Sequence, residues 1–307
     1  MHILLMGATG QIGYSLARAL ARTSHRLSVL VRDRNKHPFP QSVRVLESRS
    51  LDAQAFRKAL SGIDHVIYSV GLPEQYAPDS GVFERVNLHL LKTFLAEMAR
   101  ADASALTYIS TYEVFQAIDG VIRESHPVAC ETGFSPYFQS MIRAYRLAAD
   151  FATRHDIRLV TIHPAAVYGG LNTGQGFTNY IENLLHKRFW RVPFVFDGRF
   201  PVVHADSLAE AIIASLAGEG PYIVSEQMTT LKAIATVLRQ HADSYVPLNA
   251  PVKLARAGAT VLEWVARVTR TRPIMARVQI DFITQGIEPR SERVSRERGW
   301  RPKTLDE

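Results

Sequence analysis

Gly7, Gly10 and Gly13 stand in G-x-x-G-x-x-G spacing, between a short apolar run (residues 2–7) and a segment with helical periodicity. Glycine at such positions permits a tight turn and lets backbone amides approach a pyrophosphate at a helix N-terminus. A plain strand-to-helix turn needs one glycine, not three in register, so the spacing points to a bound dinucleotide. The second apolar run ends at Val31, and Arg32-Asp33-Arg34-Asn35-Lys36 follows. A carboxylate there would bond a free ribose 2′-hydroxyl, whereas an arginine suits a 2′-phosphate. Arg32 comes first with two cations behind it, which favours NADP(H). Asp33 keeps NAD open, and a charged surface loop is the plain alternative.

The elements that must position this loop alternate. Apolar runs at 2–7, 26–31, 43–47, 65–70, 105–110 and 158–164 read as strands. Segments 11–23, 53–62, 82–101 and 138–155 carry helical spacing, as Ile12, Leu16 and Leu20 illustrate. Strands alternating with helices predict an α/β fold of Rossmann type, a doubly wound parallel sheet covered on both faces. After Gly170 the alternation loosens. Residues 170–177 read as a glycine-rich loop, 177–189 as a helix and 192–196 as a strand. Segment 202–216 reads as a strand end turning into a helix capped by Asp206 or Ser207, then 221–225 as a strand, and 230–241 and 251–269 as helices. We therefore expect a dinucleotide-binding domain over 1–170 and a smaller substrate lobe over 171–307, with segments near 200–225 returning to the first domain. The loops after 70 and 170 and the C-terminal lobe would receive the substrate.

Composition narrows the function classes. The single cysteine, Cys130, excludes a disulfide framework and leads us to expect a reducing, cytoplasmic setting. No stretch reaches the about 18 apolar residues that a membrane span needs, so no integral membrane contact is expected. A formal charge of +7 suits an anionic cofactor or nucleic acid. The arginines from Arg267 to Arg301 are interrupted by Asp281, Glu288, Glu292 and Glu297, which reads as a solvated face and argues against nucleic-acid binding. The helix at 251–269 is apolar on one side and basic on the other; core packing is the reading we prefer, with peripheral membrane contact as the alternative. Eleven histidines show no H-x-x-x-H spacing, and no metal site is expected. The partner is a small-molecule substrate, with room for a homodimer.

Several motifs in order resemble the extended short-chain dehydrogenase/reductase family, the group of nucleotide-sugar epimerases, dehydratases and related ketoreductases. Residues 7–13 match its glycine loop, 64–71 the strand beneath the cofactor, and Asn87 an asparagine in its long central helix. Residues 108–115 are similar to its serine/threonine strand end, 136–141 to P-Y-x-x-S-K, 163–170 to R-P-x-x-V-Y-G, and 202–212 to a V-H-V-x-D segment. The resemblance implies that Gly7, Thr9, Gly10, Gln11, Ile12, Gly13, Arg32, Val70, Tyr137, Pro164 and Val167 bind the cofactor. It implies that Thr111 bonds the substrate's reacting oxygen and that Tyr137 is the general acid or base.

One position departs from this pattern at the centre of its chemistry: Met141 stands where the family keeps a lysine. That lysine would hold the nicotinamide ribose and lower the tyrosine's pKa, and a thioether has neither charge nor donor. Met141 lies one helical turn from Tyr137 on the same face. His163 replaces an arginine before proline, and Arg49 or Ser50 replaces an aspartate after strand three. Glu113 matches the second acid of some family dehydratases, but Tyr112 replaces the first; Glu113 reads equally as a loop acid or a catalytic one. Two functions stay open. One is an NAD(P)-dependent oxidoreductase or epimerase/dehydratase-like enzyme acting on a carbonyl or hydroxyl, with Thr111, Glu113 and Tyr137 at its centre. The other is a silent NADP-binding sensor.

Overall fold

The apolar runs are too continuous to face water on either side, and they form one sheet. The structure is a computed structural model that describes every residue except 73–76, 78, 133–134, 172–175, 193, 270, 272, 274 and 305–307. Its main sheet comprises β1 (His2–Met6), β2 (Arg26–Val31), β3 (Val43–Glu47), β4 (His65–Tyr68), β5 (Ala105–Ile109), β6 (Arg158–Pro164) and β7 (Gly220–Val224). All neighbours are parallel, in the order β7-β6-β5-β4-β1-β2-β3. Every residue of β1, β4 and β5 is buried, because helices cover both faces. The doubly wound α/β fold is therefore as the sequence predicts.

Two helices do most to shape the crevice. Helix α1 (Gln11–Leu20) turns Leu16, Ala17 and Leu20 onto one face of the sheet. Helix α2 (Pro136–His155) starts cleanly: Ser135 caps it and Pro136 stands at its first turn, where a missing N–H costs nothing. A third helix, α3 (Ala205–Ser215), packs beside α1 and begins at His204, whose ring accepts the Asp206 N–H. His204 is thus the cap, in place of Asp206 or Ser207.

The expected helix over 82–101 is not uniform. Gly81–Phe83 and Leu90–Met98 are α-helical, and between them Glu84–His89 widens to π-helix, with the Leu90 N–H reaching back to Arg85. Small sheets follow the main one: Ala166–Tyr168, Phe200–His204 and Gln227–Thr229 form one, and Phe194–Val195 pairs with Leu248–Asn249. Helices α4 (Val252–Thr269) and α5 (Arg277–Thr284) pack on one another.

The arginine-rich tail is less solvated than its composition predicts. Arg293 and Arg298 lie 5.0 and 5.5 Å from the Tyr222 ring centroid. Trp300 is buried and donates its indole N–H to the Ser207 carbonyl at 3.1 Å. The acids read as solvated spacers partly serve this packing, since Glu297 accepts from Tyr222.

Candidate active site

The sheet reverses direction of growth between β1 and β4, which opens a crevice at the C-terminal ends of these strands. Gly7 follows β1 there, with φ +84°, a conformation that L side chains rarely adopt. A Cβ on Gly7 would collide with the Ser69 carbonyl beyond β4, and one on Gly13 with the Gly7 carbonyl. The two glycines thus let the loop, α1 and β4 close on one another. Gly10 differs: a Cβ there meets only the Gly7 oxygen, at 3.3 Å. It caps α1 without a side chain, and no acid stands in the helix's first turn.

The first amides of α1, including those of Gln11, Ile12 and Gly13, have no intrahelical partner and favour an anion. Thr9 and Val70 flank this end of the crevice in sequence, each partly buried. These features fit a pyrophosphate-bearing cofactor. The Gln11 side chain has another task. Its amide donates to the Val167 and Gly169 carbonyls and to Thr178 Oγ1, at 3.3, 2.9 and 2.6 Å, tying α1 to the chain beyond β6. Pro164, the last residue of β6, is buried, and Val167 is half-buried beside the core that α1 covers.

Beyond β2, Arg32 is exposed and engaged by no hydrogen bond or ion pair among the described residues. Asp33 is occupied: its carboxylate accepts the Asn35 N–H at 2.9 Å, closing the turn. Arg34 faces Glu47 at 3.6 Å and donates to the Val45 carbonyl.

Two groups of one turn and a third from α2 come together beyond β5. Thr111 and Glu113 follow that strand and are buried, and the Thr111 side chain hydrogen-bonds the Glu113 carboxyl. Burial pushes this carboxyl well above the usual carboxylate range, and the Thr111 bond only partly opposes it. Tyr137, in the first turn of α2, is half-buried and lies within electrostatic reach of Glu113. Burial first, then Glu113, raises its phenol above the usual value, opposite in direction to what an adjacent ammonium would do. The Phe83 ring meets the Tyr137 ring edge-on at 5.9 Å.

Met141 is buried in an apolar cluster with Tyr112, Val114, Phe115 and Ile142. Neither of the two nearer arginines of the same helix substitutes for the absent lysine. Arg143 pairs with Glu131 and Glu84 at 2.7 and 3.1 Å, and Arg146 with Glu131 at 3.0 Å.

Sequence reasoning overlooks the polar chain that holds Tyr137. Asn87 accepts the Leu72 N–H at 2.8 Å and donates to Ser140 Oγ at 2.9 Å; Ser140 donates in turn to the Tyr137 carbonyl at 2.6 Å. The π-helical turn places Asn87, which is buried, between the two elements. His163, in sequence only a departure from the family pattern, has a positioning role. It is fully buried, and its Nδ1 donates to the Thr111 carbonyl at 3.0 Å while Nε2 faces Thr161 Oγ1 at 2.9 Å. A carbonyl only accepts, so the proton sits on Nδ1 and the Thr161 hydroxyl donates to Nε2.

Residues 3–224 match the sequence model of the NAD dependent epimerase/dehydratase family, which is most of the chain. The chain belongs to this family. The uncharacterized protein y4nG of Sinorhizobium fredii is 26% identical over 78% of the chain, which spans only 60% of that relative's length. A Streptomyces protein described as 3-diazoavenalumate denitrifying reductase is 24% identical, covering 71% of this chain and 73% of that one. Among solved structures, the Thermus thermophilus UDP-glucose 4-epimerase in complex with NAD superposes with a TM-score of 0.73 at 18% identity, over 99% of this chain and 94% of that one. Membership of the family implies dependence on a nicotinamide dinucleotide.

Proposed function

We propose that the protein is an NADP(H)-dependent enzyme that reduces, oxidises or epimerises at a carbonyl or hydroxyl carbon of a small substrate. The nicotinamide, when bound, supplies or accepts hydride. The chain's own residues do the rest. The α1 amides bind the pyrophosphate, Arg32 meets the 2′-phosphate, Thr111 orients the reacting oxygen, and Tyr137 gives or takes its proton. Glu113, whose environment favours the protonated form, is a second donor beside that oxygen and offsets in part the missing cation.

The observation that carries this reading is the meeting of Thr111, Glu113 and Tyr137 beyond β5, at the same end of the sheet as a glycine loop shaped for an anion. The Streptomyces relative's description as a reductase supports reductive use, and the epimerase likeness supports a nucleotide-sugar alternative. We assign the substrate side to residues 171–307 apart from the stretch near 200–225. The exposed free Cys130 supports a reducing compartment such as the cytoplasm.

The test is NADPH consumption with a panel of ketones and nucleotide sugars, in wild type and Tyr137→Phe. Turnover that falls by about 100-fold in the variant supports the assignment. Turnover unchanged in Tyr137→Phe removes it. A silent cofactor binder is the second reading, favoured by Met141 buried among apolar groups. It predicts NADPH binding with no consumption on any member of the panel.

A further inference from the structure

Helix α4 carries its large apolar residues on the outside. At 100° per residue, Leu254, Gly258, Val261, Val265 and Val268 form one stripe, with Trp264 on its flank. This stripe does not pack on the core, which corrects the preferred sequence reading. The inward side is made of small residues: Ala259 and Ala266 are buried, and Ala255 and Val252 are partly so. Leu254, Val261, Trp264 and Val268 are each more than 60% exposed, at 65, 61, 65 and 67%.

Further large apolar side chains are exposed beside the entry to the helix. The Ala250 N–H bonds the Val195 carbonyl at 2.8 Å, so the chain entering α4 lies along the strand Phe194–Val195. Phe194 and Leu248 are direct neighbours across that pair and both are exposed. Just before them, Phe189 and Trp190 are exposed between Arg188 and Arg191. Large apolar side chains exposed in this number mark an interaction site.

Charge selects the occupant. In α4 the one acid, Glu263, is buried; it accepts the Arg277 N–H at 2.7 Å and pairs with its guanidinium. Arg256 pairs with Asp281 at 2.8 Å, leaving Lys253 exposed and unpaired among the described residues. Residues 186–196 hold no acid; Lys187 pairs with Asp243 at 2.6 Å, and Arg188 and Arg191 flank the exposed rings. Two copies meeting on this face would bring like charges together, whereas an anionic surface would complement them. An apolar stripe with tryptophan at its flank and cations beside it is the composition of a helix lying in a lipid interface. No helix among the described residues is long and apolar enough to cross a membrane.

We propose that α4, together with exposed Phe189, Trp190, Phe194 and Leu248, seats the protein on an anionic lipid bilayer as a peripheral contact. The chain's three tryptophans make the test direct: Trp300 is 5% exposed, so a change in emission reports Trp190 and Trp264, which are 72% and 65% exposed. The probes are vesicles of phosphatidylcholine alone and of phosphatidylcholine with phosphatidylglycerol. The protein should cosediment with the anionic vesicles, with blue-shifted emission, and be released as salt is raised from about 0.1 M toward 1 M. It should not bind phosphatidylcholine alone. A variant carrying Leu254→Ser, Val261→Ser and Val268→Ser changes only exposed side chains, so it should keep the wild-type melting temperature and lose vesicle affinity by about tenfold or more. No binding of wild type to anionic vesicles overturns the proposal, as does equal binding to both vesicle types. Sedimentation equilibrium gives a further arm: a dimer that this variant dissociates, without vesicle binding by wild type, assigns the face to a second copy and also overturns it.

Discussion

His163 Nδ1 lies 3.0 Å from the Thr111 carbonyl oxygen, so the penultimate residue of β6 fixes the turn that carries two of the three site groups. Phe115 and Tyr145 enclose the imidazole, with ring centroids 4.6 and 5.2 Å away. Burial lowers its pKa to about 4 from the ordinary 6.5, although the Thr111 bond opposes this.

That depression has a pH signature. Between pH 6.5 and about 4 the unfolded chain binds a proton that the folded chain refuses, so stability present above pH 6.5 is lost as pH falls through this window. The loss from His163 is on the order of 3 kcal/mol. His65, also buried and lowered to about 4, adds to it. His163→Gln should be less stable at neutral pH by about 2 kcal/mol and should show a shallower acid loss in urea titrations. An acid slope as steep as that of wild type would refute this role for His163.

Glu113 should behave in the opposite sense. Its folded pKa is raised, so the folded chain holds a proton that the unfolded chain releases above the ordinary value of 4.5. Stability is therefore full below that value and declines as pH rises toward the folded pKa. Glu113→Gln keeps a neutral partner for Thr111 and should flatten this decline. If Glu113 is the second donor at the site, the same variant should lower turnover by about 100-fold. A flat stability profile with turnover unchanged would leave Glu113 as structure alone.

The glycines should separate by role. Gly7→Ala meets both a positive φ and the Ser69 carbonyl, and Gly13→Ala meets the Gly7 carbonyl, so each should destabilise by about 2–4 kcal/mol. Gly10 has φ −86°, open to any residue, and more space. Gly10→Val should lose about 1 kcal/mol as a poorer cap and yet abolish NADPH binding, because its side chain enters the anion site. Thermal melts beside cofactor fluorescence titrations distinguish the two outcomes.

The proposed NADP(H) preference rests on free Arg32 and occupied Asp33. Arg32→Ala should weaken NADPH binding by about tenfold or more, the worth of one charge-assisted bond, and leave NADH unchanged. Equal affinities for both cofactors in wild type would remove the assignment.

The sheet and the glycine loop were legible because burial on both faces leaves a continuous apolar signature and because three glycines in register have few other uses. The π-helical turn was not. Its residues Glu84 to His89 keep an ordinary helical pattern, and nothing in that pattern encodes the bonds of Asn87 to Leu72 and Ser140 within it. Helices Arg277–Thr284 and Glu292–Arg298 were hidden in a run of arginines, whose charge masks Ile280, Ile283 and Val294 as core residues. For α4 the periodicity was plain, but periodicity does not say which face meets the protein. The small residues Ala255, Ala259 and Ala266 took the inside, and the sequence reading assigned it to the large ones. Of the site, Tyr137 and Thr111 were named by motif, whereas His163 and Ser140 act through carbonyls that no motif encodes.

Met141→Lys tests what the absent cation means. The side chain at 141 lies one turn from Tyr137 and is buried with Tyr112, Phe115 and Ile142, so an ammonium there would enter an apolar site. Two effects compete. A cation beside the phenol lowers its pKa, and each unit is worth about 1.4 kcal/mol, or tenfold in ionised fraction. A buried, unpaired ammonium is unfavourable and tends to deprotonate. Glu113 decides between them. A lysine stem that reaches toward Tyr137 also approaches a carboxyl that can ionise to pair with it, which returns Glu113 toward the carboxylate range. We therefore expect Met141→Lys to fold with a loss of about 1–3 kcal/mol and to shift the pH–rate profile of Tyr137 toward neutrality. The double variant Met141→Lys, Glu113→Gln should lose more stability than the sum of its parts, because it strands the ammonium. Strict additivity in urea titrations, with no shift in the rate profile, would show that position 141 does not communicate with the tyrosine.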